Sequence, residues 1–286
     1  MTTPSKHALI VGASAGIGRA IALQVAPLVT KLTLCSRTCP PDLVASIKAI
    51  NPDVDVVHER LDVSLLHEVR DFTTKHAVTN FDWIVLTAGV MTGHKETSEG
   101  LELAMATAYY GRFMLVHDLL PRLNRPGFRF LTVFHAGQAT WAPSLDDLGL
   151  KRSFTPLHCA NACKLYWYVT SMCYVACGIL LIALSEHAPQ AAFLHINPGF
   201  VNTTLFDGLP WFLRWPANVM KAMLAISPEQ CATEMVAALT SDEYAVGWEL
   251  LDEHAKVFPK TKFHSEEFKD AVWKHSLQII DEVLQQ

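Results

Sequence analysis

Leu9-Ile-Val-Gly12-Ala-Ser14-Ala15-Gly16-Ile17-Gly18-Arg19-Ala-Ile-Ala-Leu23 is the stretch from which the rest of the chain is read. The apolar run Ala8 to Val11 predicts a buried strand. Glycines follow at Gly12, Gly16 and Gly18, and an apolar helical spacing (Ile17, Ala20, Ile21, Val25) begins inside the turn. Strand, turn and helix in that order make a phosphate-binding corner. Glycines let the backbone approach a pyrophosphate closely, and the free N–H groups and positive dipole end of the new helix attract its charge. A glycine turn can also bind nothing, so its meaning depends on the remaining chain.

Half of the 286 residues are hydrophobic and 18% are charged, which supplies a large core and argues against disorder. A net charge of −5 and a pI near 6.2 give no basic face for nucleic acid. The polar start Met1-Thr-Thr-Pro-Ser-Lys6 runs straight into the first strand and leaves no room for a secretory signal. Together with seven cysteines, an odd number, this points to reduced thiols and a cytoplasmic protein. Cys159/Cys163 and Cys173/Cys177 are spaced four apart, but no further ligand completes a metal set, so small buried hydrophobes are the simpler reading and no metal is expected.

Apolar strands alternate with helical patterns along the chain, without a repeat or a low-complexity linker. That predicts one doubly wound α/β domain over residues 1–286, with about seven parallel strands and helices on both faces. Strands are expected over Lys31–Cys35, Val54–Val57, Trp83–Leu86, Phe128–Phe134, Ala192–Ile196 and Val246–Leu251. Helices are expected over Pro41–Ile50, Ser64–Ala77, Ser98–Leu123 and Glu266–Gln286, with another capped by Ser227 and opened by Pro228. The second strand ends in Ser36-Arg37-Thr38. A nucleotide with a free ribose 2′-hydroxyl usually meets an acidic residue here, whereas a 2′-phosphate needs a cation and small donors. Ser36 and Arg37 fit NADP(H), the bland alternative being that Arg37 is a solvated loop charge.

Gly12-x-x-x-Gly16-x-Gly18, the second turn Thr87-Ala88-Gly89 after the fourth strand, and Pro198-Gly199-Phe-Val201-Asn-Thr203 after the sixth together resemble the short-chain dehydrogenase/reductase family, a subset of the Rossmann folds. The resemblance spans roughly residues 7–250. It implies a nicotinamide cofactor held by Gly12, Ser14, Ala15, Gly16, Ile17, Gly18, Ser36, Arg37, Thr87, Ala88 and Gly89, with Pro198, Gly199, Val201 and Thr203 closing over it. Thr87 replaces the family's Asn and keeps a hydrogen-bonding side chain. Asp62-Val63 resembles the family's adenine contact, although Asp62 would serve equally as a helix cap.

The catalytic pattern departs from the family. No Tyr-x-x-x-Lys occurs in the sequence; Lys164 has Ala160 four residues before it. Lys164 also lies farther from Pro198 than family spacing allows, and counting back at that spacing puts the tyrosine at Tyr168 and Met172 in place of the lysine. On a continuous helix Lys164 and Tyr168 would share a face in reversed order, and Tyr166 is a further candidate. Aromatic residues in an apolar helix are more often core, which is the competing reading for each of these tyrosines. Where relatives carry Asn-x-x-Gly the chain has Ala108-Tyr-Tyr-Gly111, and where they carry a substrate-holding Ser it has His135. That histidine could donate a hydrogen bond or a proton, or simply pack at a strand end. Leu145 to Phe154 resembles a loop of fungal members associated with secondary metabolism.

Residues 165–184 are twenty without a charge, long enough for a membrane span, but their position between the fifth and sixth strands is where the family has a buried helix and dimer interface. The stretch is several residues longer than that helix requires, which either a local insertion or an alternative gene model would explain. Residues 204–226, rich in Leu, Trp, Phe and Met, stand where the family has a substrate lid; an apolar lid implies a hydrophobic small-molecule substrate, and a dimer contact or membrane-surface patch would use the same residues. A homo-oligomer is the family expectation. The leading expectation is an NADP(H)-dependent oxidoreductase with a proton supplied by Tyr168 or His135, aided by Lys164. The rivals are a non-redox cyclase or isomerase on the same scaffold and a catalytically silent NADP(H)-binding protein.

Overall fold

The computed structural model describes residues 5–90, 95–134, 181–205, 221, 223–259 and 265–286. Among the described residues seven strands form one parallel sheet: β1 (His7–Val11), β2 (Lys31–Ser36), β3 (Asp55–Arg60), β4 (Trp83–Leu86), β5 (Arg129–Val133), β6 (Ala192–Ile196) and β7 (Gly247–Leu251), ordered β3-β2-β1-β4-β5-β6-β7. All six ladders are parallel, so each strand needs a crossover and both faces must be covered. The crossovers are α1 (Gly16–Val25), α2 (Leu43–Ile50), α3 (Leu66–Lys75), α4 (Leu103–Met105), α5 (Gly111–Leu123) and α6 (Pro228–Thr240), followed by α7 (Glu266–Leu284).

Alternation along each strand sends side chains into two cores. Ala8 and Ile10 of β1 join Ile21 and Val25 of α1, Leu43 and Ile47 of α2, and Cys231 and Met235 of α6. Leu9 and Val11 join Leu66 and Phe72 of α3, Phe113 and Leu119 of α5, and Val272 and Ile280 of α7. Phe113 is one of many fully buried side chains, and its burial by itself stabilises the fold by about 3 kcal/mol relative to exposure.

Several elements differ from the sequence expectation, α3 being two residues shorter at each end than the expected Ser64–Ala77. β3 runs on to Arg60 because its polar residues ladder against β2, with Leu34 opposite His58 and Ser36 opposite Arg60; as an edge strand it lacks the apolar signature. The helix after Pro41 starts only at Leu43. The expected continuous helix Ser98–Leu123 begins at Leu103, since Gly100 turns the chain at φ +72° and Glu102 caps the start by accepting from Met105 N. It is then interrupted by a π-helical segment, Ala106–Tyr110, before α5. Close packing accompanies that break: a Cβ at Gly111 would collide with the Val63 carbonyl. Tyr109 and Tyr110, adjacent in sequence, both reach α7, with hydroxyls 2.6 Å from Ser276 Oγ and 2.9 Å from His275 Nε2.

Among the described residues no helix is long and apolar enough to cross a membrane. Of 165–184 only the last four residues fall within the described part, where 181–187 are helical and Leu181 and Leu184 are buried in the α5 side of the core.

Candidate functional site

The sheet reverses its winding between β1 and β4, and open α/β sheets bind ligands at the carboxyl ends of the strands at such a point. The three sequence turns meet there. Gly12, at φ +95°, follows β1 and donates its N–H to Cys35 O at 2.8 Å, which hooks the turn over β2. A Cβ on Gly12 would stand 2.5 Å from Ala88 N and 2.6 Å from Thr87 Oγ1, so a larger residue cannot be accommodated without moving the second turn. Thr87 locks the pair. Its N–H and Oγ1 both donate to Val11 O, at 2.8 and 3.0 Å, and Oγ1 lies 3.3 Å from Gly12 O. A Cβ on Gly18 would strike Gly12 O and Thr87 Oγ1, which brings α1 hard against both turns.

The start of α1 is open. Its N-cap Ala15 has no capping side chain, its first turn has no acidic residue, and Ser14, Ala15, Gly16 and Ile17 retain solvent exposure. Helix N-termini leave N–H groups unpaired, and here they sit beside a cradle that only glycine can form. The third turn closes from the other side: a Cβ on Gly16 would approach Thr203 Cγ2 at 3.1 Å. Asn197 N donates to Leu251 O, Asn197 Oδ1 accepts from Gly199 N, and Gly199 bends at φ +66°. Val201 bridges Ile226, and Lys221 Nζ donates to Thr203 O at 3.0 Å. The turn is thus fixed to the chain that leads into α6. Cys231 of α6 points its thiol at Pro198 O, and burial pushes its pKa up to about 12, an inert packing group.

At the end of β2 Ser36 is buried and Arg37 is exposed. Ser36 Oγ donates to Thr38 O at 2.8 Å and is 2.9 Å from His58 Nε2, so this hydroxyl is engaged within the protein. Asp62 Oδ1 accepts from Ser64 N at 3.1 Å and Ser64 Oγ at 2.7 Å. That is a local turn ahead of α3, whose N-cap is Leu65, so Asp62 does not cap the helix itself. Val63 is buried and carries the carbonyl on which Gly111 packs. Ala108, in the Asn-x-x-Gly position, is buried in the π-helical segment.

Sequence reasoning missed Arg112, which is 2% exposed. It donates to Ala88 O at 2.6 Å, Thr132 Oγ1 at 2.5 Å and Val133 O at 3.2 Å, and lies over the Phe134 ring at 5.4 Å. It ties the second glycine turn to the end of β5. A lone arginine directly before Phe113, in an apolar helical run, was the available signal. Tyr168, Lys164, His135, the two cysteine pairs and most of 204–226 lie outside the described residues. Of the lid, Met223 and Leu224 are 76% and 67% exposed. Among the described residues no cluster of His, Cys, Asp or Glu could hold a metal.

A parallel sheet in this order, with two interlocked glycine turns at its switch point, defines a Rossmann-type α/β protein. A family model described as short chain dehydrogenase matches residues 6–128. A polyprenol dehydrogenase of Mus musculus is 26% identical, covering 96% of this chain and 84% of that protein; a short chain dehydrogenase of Gibberella zeae is 27% identical, covering 84% and 74%. A solved alcohol dehydrogenase from the archaeon Thermococcus sibiricus, complexed with 5-hydroxy-NADP, superposes with TM-score 0.61 at 22% identity, covering 90% of this chain and 100% of that one. The chain is thus similar to short chain dehydrogenases over residues 6–128 and shares the fold of the solved neighbour, and these likenesses support a divergent oxidoreductase of that kind.

Proposed function

We propose that the protein is an NADP(H)-dependent oxidoreductase that interconverts a carbonyl and an alcohol on a hydrophobic small molecule. The observation that carries this reading is the convergence of Gly12, Gly16, Thr87–Ala88 and Thr203 at the β1/β4 switch point, around an uncapped helix start. The site fits a pyrophosphate because Gly12 and Gly18 let β1, the start of α1 and the Thr87 turn pack together beside a helix N-terminus with no capping side chain. Ser14, Ala15, Gly16, Ile17 and Gly18 would hold that pyrophosphate through the α1 amides, and Pro198, Gly199, Val201 and Thr203 would close over the nicotinamide side. Arg37 would bind the 2′-phosphate, with Ser36 shaping the turn, while Asp62 and Val63 would border the adenine and Thr87, Ala88 and Gly89 the ribose. The bound cofactor supplies the hydride chemistry.

This chain's own residues bind, orient and move the proton. Arg112 holds the Ala88 and Val133 carbonyls in fixed relation, so the ends of β4 and β5 keep their spacing as ligands enter. The proton-handling groups in this reading are Tyr168, His135 and Lys164. Exposed Met223 and Leu224 beside the Thr203 turn support an apolar substrate, as does the mouse relative, named for a polyprenol. The likeness at Leu145 to Phe154 supports a place in secondary metabolism, and the cytoplasm and a homo-oligomer belong to the same reading.

The test is a fluorescence titration with NADPH and NADH. NADPH is expected to bind at least about tenfold more tightly, and Arg37→Ala to remove that margin, about 1.4 kcal/mol, without changing NADH affinity. Equal affinities in the unmodified protein, or no binding below about millimolar, would overturn the reading. A Tyr168→Phe variant with undiminished turnover on a panel of apolar ketones would remove Tyr168 from it.

A further inference from the structure

His58, on β3, is not part of the family motifs, yet it is built into the corner that carries Arg37. β2 and β3 run in register so that His58 lies opposite Leu34, two residues before Ser36. Ser36 Oγ has one proton, and that proton goes to Thr38 O, a carbonyl that can only accept, at 2.8 Å. His58 Nε2, 2.9 Å from the same oxygen, must therefore be the donor. The hydrogen-bond network assigns the Nε2–H tautomer. The chain Nε2–H to Oγ–H to carbonyl oxygen spans both sides of Arg37 and clamps its backbone.

The clamp survives a change of charge. An imidazolium keeps its Nε2–H and adds the new proton on Nδ1, so His58 can become a cation without breaking its bond to Ser36. In the protein as it stands, partial burial holds its pKa below the usual value, with Glu59 pulling the other way. The surrounding charges are already matched. Glu59, next on the strand, pairs with Lys75 and His76; Arg60 pairs with Glu68; Asp42, at the head of α2, pairs with Arg19 of α1. Lys48 of α2 donates to Pro52 O and Val54 O, and Arg37 is the exposed cation of the adjoining loop.

We propose that His58 is a specificity-determining residue: it positions the Arg37 turn and takes up a proton from solvent when a doubly charged ribose 2′-phosphate arrives, so that two cations meet that group. This deepens the NADP(H) reading and rests on it. The charge added by the ligand is the same charge that makes protonation favourable, and a nucleotide with a free 2′-hydroxyl brings none.

The experiment is calorimetric titration with NADPH and with NADH at pH 7.0, each in two buffers of different ionisation enthalpy. NADPH is expected to bind with net proton uptake and NADH with none. The sign is diagnostic, because residual protonation of the free phosphate would give release. Across pH 6.5 to 8.0, NADPH affinity should fall about threefold relative to NADH. In His58→Gln, which keeps a donor for Ser36 but cannot titrate, the uptake and the fall of NADPH affinity with rising pH should vanish while NADH affinity stays unchanged, the control for folding. NADPH preferred without proton uptake in the unmodified protein overturns the proposal for His58 and leaves the cofactor reading intact, whether or not the variant folds. Uptake retained in His58→Gln also overturns it. Equal binding of the two nucleotides is instead the failure of the cofactor reading itself.

Discussion

Gly12 and Gly100 share a backbone conformation that side chains avoid, at φ +95° and +72°, but differ in their surroundings. A Cβ at Gly12 meets Ala88 N and Thr87 Oγ1, whereas a Cβ at Gly100 meets nothing within 4 Å. The two sites separate backbone strain from close approach. Gly100→Ala is expected to lower stability by about 1 kcal/mol and leave nucleotide binding unchanged. Gly12→Ala carries a similar strain and must also push the two turns apart, so NADPH affinity should fall by more than about tenfold, over 1.4 kcal/mol. Equilibrium titration on both variants checks this; equal losses of affinity would mean that Gly12 acts through strain alone. The glycine turns were legible in the sequence because only glycine satisfies both demands. Asp62 kept two readings because one carboxylate can serve a turn and border a ligand at once. Arg112 and His58 were not legible, since their partners come from β4, β5 and β2 and carry no spacing signature.

At the scale of elements, the start of α3 shows what sequence periodicity cannot convey. Its N-cap is Leu65, which has no side chain to cap with. Glu99 performs the task from 33 residues away: Oε2 accepts from Leu66 N at 2.6 Å, and Oε1 accepts from His67 N at 3.1 Å. His67 Nδ1 lies 2.8 Å from Oε1, and the carboxylate sits at the positive end of the helix dipole. Glu99→Ala should cost about 1–2 kcal/mol in urea unfolding, against the few tenths expected of an ordinary surface change. A loss within those few tenths would show that water satisfies the helix start equally well. By contrast the start of α6 was fully legible. Ser227 accepts from Gln230 N, and Gln230 Oε1 accepts from Ser227 N, a reciprocal cap contained in four residues. Local caps can be read in a sequence, and caps supplied by a distant loop cannot.

For the whole molecule, the centre of the sheet carries a titrating group. His7 opens β1, with Nε2 2.8 Å from Thr33 Oγ1 of β2 and its ring tilted against Phe81 at 4.6 Å. Burial, reinforced by Lys31 and opposed by Asp82, lowers its pKa to about 4 from 6.5. Below pH 6.5 the unfolded chain therefore binds a proton that the folded chain refuses. Stability contributed by neutral His7 is complete above that pH and is lost as pH falls toward about 4. With allowance for partial exposure, the loss is about 1–2 kcal/mol. Urea unfolding at pH 7 and pH 5 should show it, and His7→Gln, which keeps a donor for Thr33, should flatten that part of the slope. An identical slope in the variant would assign the acid sensitivity elsewhere. The doubly wound parallel sheet with helices on both faces followed from apolar runs alternating with helical patterns, which is why the architecture was readable when the catalytic end was not.

The π-helical segment Ala106–Tyr110 has a consequence for how this chain can change. A π turn holds one residue more than an α turn, and successive α-helical residues differ by about 100° around the axis. Removing one residue there would restore a regular helix with its flanks still in phase, because the wide turn absorbs the extra residue locally, and only one of Tyr109 and Tyr110 could then keep its bond to α7. A relative one residue shorter at this point would therefore lose part of the contact with α7 while α5 and the sheet stay in place.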